Sequence, residues 1–233
     1  MTDPDGPRQN VSFPSNGAEA HGYLALPPGG SGPGLVVVQE WWGLTSHIAG
    51  MADRFAAEGF TVLAPDLFGG ATTHDAEEAA RLLRELPVDR AARDLRGAVD
   101  FLLAHPATTG GAVGVVGFCM GGGFALVLAA QEGDRVAAAV PFYGLPGVPE
   151  YDYRGLTARV LGHYGEQDDH IPMRAVDAAA VRIEAASGRK PEIHFYPAGH
   201  AFMNDENLLG TYDPEQAGIA WRRTLAFLRG VLS

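Results

Sequence analysis

The chain has 233 residues, of which 46% are hydrophobic and 19% are charged, and its formal net charge is −11. These values are typical of a soluble globular protein long enough for one domain of the larger α/β kind. The acidic balance without a basic run excludes a nucleic-acid partner, and the single cysteine excludes both an intramolecular disulfide and a cysteine-rich zinc site.

Membrane and export signals are also missing from the sequence. No stretch approaches the roughly 18 apolar residues of a membrane-spanning helix, and the acidic, polar N-terminus is unlike a signal peptide. We therefore expect a cytoplasmic protein with no membrane partner.

The first elements are short and punctuated by glycine and proline. Residues 1–10 are expected to form a loose polar arm, followed by a single domain over residues 11–233. Alternating apolar residues predict an antiparallel pair of strands at Val11–Pro14 and Ala20–Leu26. The glycine- and proline-rich stretch 27–34 predicts a surface loop, too short to be an interdomain tether.

Beyond this loop, apolar strands alternate with amphipathic helices. Continuous apolar strands in such an alternation indicate an α/β fold, with a mostly parallel sheet that is covered on both faces and has right-handed crossovers. The predicted strands are Leu35–Gln39, Phe60–Ala64, Val113–Val116, Val136–Tyr143, Val160–Tyr164 and Glu192–Tyr196, and the predicted helices are 46–58, Ala76–Leu86, Arg90–Ala104, Gly121–Gln131, Met173–Ala186 and Glu215–Leu232.

Cys119 lies directly after one of these strands, in the run Gly117-Phe118-Cys119-Met120-Gly121, and a predicted helix follows. A residue at such a sharp strand-to-helix turn has strained backbone angles, so the residues two before and two after it need to be almost free of side chain. The pattern is typical of a nucleophile elbow with sulfur in place of serine oxygen. A lone cysteine is more often a buried packing residue, but packing does not require glycine on both sides. We predict that Cys119 is a catalytic nucleophile.

A thiol nucleophile needs a base, and the base needs an orienting acid. In the elbow architecture the acid and then the histidine follow the nucleophile along the chain. Asp168 comes soon after the predicted strand Val160–Tyr164, and His200 comes soon after Glu192–Tyr196. Because the carboxyl ends of parallel strands lie at one rim of the sheet, we predict that both residues meet Cys119 there.

Other acids and histidines are available. Asp169 is an alternative to Asp168 as the acid. His170 is too near Asp168 in sequence to be its partner across the site, and His194 is expected to face solvent or a helix layer. Three adjacent residues on one loop rarely converge on a metal ion, so we predict no metal and no cofactor at residues 168–170. The histidines that precede the acid are expected at the surface or in packing: His21, His47, His74, His105 and His163.

Glu40 follows the apolar strand Leu35–Gln39 and precedes two tryptophans. A carboxylate at a strand end beside two indoles is expected to be partly desolvated, so Glu40 is either a solvated loop residue or an ionisable group that faces the thiol. The backbone N–H groups of Trp41 and Met120 are then the expected oxyanion hole. The side chains of Trp41 and Trp42 fit a pocket wall or the core equally well.

Taken together, these segments resemble the dienelactone hydrolase family over nearly the whole chain. The resemblance implies an α/β-hydrolase fold without a large cap domain, a triad of Cys119, Asp168 and His200, and hydrolysis of enol-lactones or related esters. It also matches Glu40 to the glutamate that holds the family's thiol in check until substrate arrives. The segments that carry the resemblance are Gln39–Leu44, Ala64–Gly69, Gly117–Gly122, Tyr143-Gly144, Gly165–Asp168 with Pro172, and Ala198–Phe202.

The substrate-binding positions depart from the family pattern. Family members capture a substrate carboxylate with two arginines, and the matching positions here are Asn204 and Ala76, neither of which is charged. Arg81 or Arg84 could substitute, although both also fit the polar face of a helix. We therefore expect a substrate that needs no carboxylate. The remaining candidates for substrate contact are Trp42, Tyr143 and Phe202.

The sequence thus predicts a cofactor-independent cysteine hydrolase that acts on a small ester or lactone through an acyl-enzyme. The alternatives are a general carboxylesterase or thioesterase, and a non-catalytic binding protein on the same fold. The expected partner is the small-molecule substrate, and the expected state is a monomer or a small homo-oligomer.

Overall fold

The computed structural model describes residues 8–15, 17–148 and 150–232. The chain divides into two compact units, Met1–Val113 and Gly114–Ser233. Residues 1–7 of the predicted arm lie outside the described residues. Residue 10 at the end of that arm is tied to the first unit, because the backbone N–H of Asn10 donates to Gly22 O at 2.9 Å and its side-chain oxygen accepts from the N–H of Leu24 at 2.7 Å.

The first unit contains the strands β1 (Val11–Ser15), β2 (Ala18–Ala25), β3 (Gly32–Val38) and β4 (Thr61–Pro65), in the order β1-β2-β4-β3, and β5 (Thr108–Phe118) begins next to β3. The predicted antiparallel pair is confirmed, since β1 and β2 are antiparallel. The strands β3 and β4 are parallel.

The strand β3 begins inside the predicted loop 27–34. A Cβ on Gly32 would lie 1.8 Å from Gly59 O, so this glycine allows two backbones to approach closely instead of forming a turn. The same composition that suggests a loop therefore serves strand packing here.

The helices of the first unit are α1 (Ser46–Ala57), α2 (Ala76–Glu85) and α3 (Val88–Ala104). The predicted break at Pro87 is confirmed, because this proline caps the start of α3 with a φ of −72°, which its ring favours. The helix α1 packs on β4, and α3 packs on β1 and β4.

The second unit continues from β5 in the order β5-β6-β7-β8, with β6 (Val136–Phe142), β7 (Arg159–Gly165) and β8 (Glu192–Tyr196). Its helices are α4 (Met120–Glu132), α5 (Met173–Ser187) and α6 (Pro214–Leu232), and a short 3₁₀ turn covers Gly133–Arg135. The pairs β6–β7 and β7–β8 are parallel, while α4 packs on β6 and α6 packs on β6 and β7.

Mostly parallel strands that alternate with helices confirm the predicted α/β class. The strand β5 is longer than predicted, because residues 109–111 at its start are exposed and carry no apolar pattern. Within the described part of the chain, none of the helices has the length and apolarity needed to cross a membrane.

Candidate active site

Cys119 occupies the turn between the last residue of β5 and the first residue of α4. Its backbone has a φ of 53° and a ψ of −119°, a conformation that costs a non-glycine residue about 1–3 kcal/mol. Two backbone hydrogen bonds hold the turn: Cys119 N–H donates to Phe142 O at 3.0 Å, and Gly122 N–H donates to Cys119 O at 2.9 Å. The strained elbow that the sequence predicts is therefore present.

Two glycines make this turn possible. A Cβ on Gly117 would lie 1.9 Å from Gly121 O, and a Cβ on Gly144 would lie 1.9 Å from Cys119 O. Both distances are far below any van der Waals contact, so neither position accepts a side chain. This confirms the requirement at the position two before Cys119 and adds Gly144, whose contact with the elbow has no signal in the local sequence.

The structure brings Cys119, Asp168 and His200 together at the carboxyl ends of β5, β7 and β8. The Nε2 atom of His200 lies 3.2 Å from Cys119 Sγ, and its Nδ1 atom lies 2.7 Å from Asp168 Oδ2. The Asp168 side chain is fully buried and that of His200 is 10% exposed. Asp169 is exposed, so it is Asp168 that contacts the histidine.

Asp168 is held in place by the loop that carries it. Its Oδ1 atom accepts the backbone N–H groups of His170 at 2.8 Å and Ile171 at 2.9 Å. Burial works to raise the pKa of Asp168, but the hydrogen bond and charge of His200, together with these two N–H groups, lower it below its ordinary value. The carboxyl group is therefore ionised at neutral pH, with Oδ2 directed at the imidazole.

His200 has the opposite shift. Burial works to lower the pKa of His200, but hydrogen bonds with Asp168 and Cys119 and the negative charges of both raise it to about 10. The imidazole is thus well placed to accept and keep a proton. The hydroxyl of Thr211 donates to the backbone carbonyl of His200, which fixes the loop behind the ring.

Two aromatic rings pack next to this histidine, with Tyr143 against His200 and Phe202 against Tyr143. The Tyr143 ring centroid lies 5.2 Å from that of His200 and 5.5 Å from that of Phe202. Neither aromatic side chain has exposed surface, and Asn204 is also buried. These three predicted substrate-binding residues are therefore buried in this structure and offer no exposed wall to a pocket.

Backbone strain is concentrated around the site. Among the described residues, the non-glycine residues with positive φ are Cys119 (53°), Tyr143 (38°), Ala201 (60°) and Asn207 (54°). Cys119 is one of the three site residues, Tyr143 contacts His200, and Ala201 is the next residue after it. Strain of this kind persists at functional sites because the surrounding structure enforces it. The strain at Tyr143 and Ala201 was not predicted from the sequence.

His170 lies closer to the site than its sequence position suggests. Its ring centroid is 5.0 Å from that of His200, in an edge-to-face arrangement, and the residue is exposed. Only the backbone N–H of His170 contacts Asp168, so its side chain is not a partner for the acid, as predicted.

Two other histidines that compete with His200 in the sequence, His194 and His163, have hydrogen-bonding partners away from Cys119. His194 is a half-buried residue of β8, with Nε2 2.7 Å from Glu192 Oε1. His163 is fully buried between Tyr196 Oη at 2.7 Å and Thr224 Oγ1 at 3.0 Å. Within residues 8–15, 17–148 and 150–232, no three histidine, cysteine or acidic side chains are grouped so that they could hold a metal ion.

Glu40 and the two tryptophans lie in the first unit. Glu40 is 1% exposed, so the alternative of a solvated loop glutamate is wrong. The rings of Trp41 and Trp42 meet edge to face, with centroids 4.9 Å apart, and Trp42 is buried. The carboxyl group of Glu40 is thus removed from water, as its neighbours in the sequence predict.

Arg81 belongs to the surface of its own helix. Its guanidinium lies 2.6 Å from Glu78 Oε1 and pairs with Glu85 one turn further along α2. Arg84 is exposed on the same helix. The structure supports the polar helix face as the place of both arginines.

The family model for dienelactone hydrolases matches residues 20–232. The chain belongs to the dienelactone hydrolase family. This membership confirms the resemblance that the sequence motifs indicate, and it identifies the chain as a hydrolase.

Similar proteins cover the chain almost completely. Protein usf of Aquifex pyrophilus is 34% identical over 232 residues, which are 97% of this chain and 99% of the relative. A protein of Aquifex aeolicus, provisionally named carboxymethylenebutenolidase, is 31% identical over 231 residues, 96% of this chain and 99% of its own. A crystal structure provisionally described as a dienelactone hydrolase from Klebsiella pneumoniae subsp. pneumoniae is 31% identical, covers 94% of this chain and 96% of its own, and has a TM-score of 0.82. The predicted α/β-hydrolase fold is confirmed.

Proposed function

We propose that the chain is a cysteine-dependent hydrolase of small esters or lactones that works through an acyl-enzyme. The observation that carries the proposal is the position of His200, whose ring nitrogens lie 3.2 Å from Cys119 Sγ and 2.7 Å from Asp168 Oδ2. The ester or lactone class is supported by the names of similar proteins, carboxymethylenebutenolidase and dienelactone hydrolase.

The first chemical step is the formation of the nucleophile. His200 Nε2 takes the thiol proton of Cys119, and the thiolate attacks the carbonyl carbon of the substrate. Asp168 accepts the Nδ1–H of His200, which holds the ring in the required tautomer and stabilises the imidazolium. The strained turn holds Sγ 3.2 Å from Nε2 of this imidazole.

The attack places a negative charge on the former carbonyl oxygen. Met120 is the first residue of α4, and the first N–H groups of a helix have no carbonyl partner within that helix. We assign this N–H to the oxyanion hole, with the N–H of Trp41 as the second donor in the arrangement typical of nucleophile elbows. Such donors stabilise the tetrahedral intermediate more than the substrate.

The tetrahedral intermediate then collapses to an acyl-enzyme, which is hydrolysed in a second stage. The C–O bond of the ester breaks, the leaving alkoxide takes the proton held by His200, and the acyl group remains on Sγ as a thioester. His200 then takes a proton from a water molecule, and the hydroxide attacks the thioester carbonyl. The C–S bond breaks, the leaving thiolate takes the proton back from His200, and the acid product loses its own proton to solvent. With a lactone, the alcohol and the acid leave as parts of one molecule.

Glu40 would control the resting thiol. A buried carboxylate near the sulfur disfavours the thiolate, and the 1% exposure of Glu40 supports such a role. Substrate that displaces this carboxylate would remove the repulsion, so the thiol proton would pass to His200 and the nucleophile would form only when it is needed.

The substrate would not need a carboxylate of its own. Asn204 is uncharged and buried, and the guanidinium of Arg81 is already paired with acids on its own helix. A neutral aryl ester or lactone therefore fits the described residues at least as well as an anionic one.

The decisive experiment compares the wild type with Cys119→Ala on p-nitrophenyl acetate and on a small lactone. We expect a burst of about one p-nitrophenol per wild-type chain, followed by slower turnover, and no burst from the variant. Turnover by the alanine variant would refute the nucleophile. Inactivity of the wild type on all esters, lactones and thioesters would favour a binding protein, and a preference for thioesters would favour a thioesterase.

A further inference from the structure

A cavity lies in the unit that carries the candidate triad, at the ends of β7 and β8 that are opposite to Asp168 and His200. This cavity of about 230 Å³ is formed where β7 and β8 begin, with Arg159 and Glu192 in its wall. Asp168 and His200 follow the other ends of these strands. The cavity is therefore separate from the proposed catalytic site and none of its residues has a role there.

The wall of this cavity is strongly positive. Arg159, Arg189 and Lys190 all line it, and all three are exposed. Lys190 is the only lysine in a chain whose net charge is −11. The one acidic residue of the wall, Glu192, lies 2.7 Å from His194 Nε2. Three cations against one carboxylate leave this concave wall with a net positive charge, which attracts anions.

The floor of the cavity is apolar. Val160, Ile183 and Phe227 line it and are 5%, 2% and 9% exposed. The guanidinium of Arg159 lies over the Phe227 ring, 5.4 Å from its centroid, which holds a positive charge directly beside the apolar surface. A ligand that fills this space needs both a negative group and a short apolar body.

The cationic side chains stand on a fixed turn. Gly188 ends α5 with a φ of 68°, and its N–H donates to Glu184 O at 2.9 Å. The N–H of Arg189 donates to Ser187 Oγ at 3.1 Å, and the Ser187 hydroxyl donates to Ile183 O at 2.7 Å. A backbone that is already ordered lowers the entropy cost of binding.

We propose that this cavity binds small organic carboxylates with a short apolar body, such as an aromatic or branched aliphatic acid. The carboxylate would be held by Arg189 and Lys190, because guanidinium groups match the two carboxylate oxygens and the ammonium adds a mobile point charge. The apolar body would lie on Val160, Ile183 and Phe227. The proposal does not rest on the proposed function.

The test uses the full-length protein, labelled for nuclear magnetic resonance, and three probe molecules. Benzoate has the charge and the ring, benzamide has the ring without the charge, and acetate has the charge without the ring. We expect saturable shifts of the Val160 and Ile183 methyl signals with benzoate, which should bind at least about tenfold more tightly than either of the other probes.

Matched variants identify the cations. Arg189→Gln and Lys190→Gln should each weaken benzoate binding by about tenfold, the usual effect of one charge-assisted hydrogen bond. Arg222→Gln removes the same charge from an exposed position on α6 that is not part of the cavity wall, and it should leave the affinity unchanged.

Four results would overturn the proposal. These are shifts that do not saturate, equal binding of benzamide or of acetate, shifts confined to the surroundings of Cys119 and His200, and equal losses in Arg222→Gln and Lys190→Gln. The last result would show a net-charge effect in place of a built site.

Discussion

Two substitutions of Cys119 separate the strain of the elbow from the chemistry of the thiol. Both Cys119→Ala and Cys119→Gly remove the nucleophile and its hydrogen bond with His200. Only glycine relaxes the backbone at a φ of 53° and a ψ of −119°, which costs a residue with a Cβ about 1–3 kcal/mol. Glycine also makes the unfolded chain more flexible, at a cost of about 0.5–1 kcal/mol relative to alanine. The difference predicts that Cys119→Gly is more stable than Cys119→Ala by up to about 2 kcal/mol.

The measurement is equilibrium unfolding in urea, followed by circular dichroism, on both variants at one pH. Both variants should be inactive on p-nitrophenyl esters, so a difference in stability reports the backbone alone. The slope against urea should be the same for both, since a change in slope would indicate an altered unfolded state.

A Cys119→Gly variant that is less stable than Cys119→Ala would refute the reasoning. It would mean that the turn costs less than the flexibility of glycine, so the hydrogen bonds from Cys119 and to Cys119 would not be holding a strained residue. The alternating glycines of the motif would then need another explanation.

Four further outcomes are expected at the same site. Substitution of His200 or Asp168 by asparagine should slow acylation in stopped-flow assays by about 10²–10⁴, more for the histidine, and a comparable loss in His170→Asn would mean that the wrong histidine has been chosen. Glu40→Gln should speed alkylation of the resting enzyme by iodoacetamide and lower turnover, and if both rates were unchanged Glu40 would be only structural. Neutral and anionic ester analogues should have kcat/KM values within about tenfold, a factor worth roughly 1.4 kcal/mol, and a larger preference for the anion would show that an arginine binds the substrate. Because the pKa of His200 is raised to about 10 in the folded chain, its contribution to stability should be complete below about pH 6.5 and disappear as the pH rises through 10. The unfolding temperatures of His200→Asn and the wild type should therefore converge as the pH rises through 10. A difference between the two temperatures that stays constant with pH would contradict the shift.

The sequence alone determined the elbow and most of the elements, because both depend on spacing along the chain. The period of apolar residues predicts β8 at Glu192–Tyr196, as observed, and Pro87 predicts the break between two helices. Glycine two residues before Cys119 predicts a tight turn, since a Cβ there would meet the backbone of Gly121 at 1.9 Å.

Tertiary structure decided which of several equivalent residues complete the site. Asp168 and Asp169 are chemically identical neighbours, and the choice depends on how the loop turns: two backbone N–H groups hold Oδ1 of Asp168 and leave Oδ2 facing His200. Three other contacts join residues that are far apart in sequence. They are the packing of Tyr143 against His200 and Phe202, the approach of Gly144 to the elbow, and the position of His170 beside His200. Periodicity reports which face of an element is buried, but it does not report which distant residue that face meets, so these contacts become visible only in the folded chain.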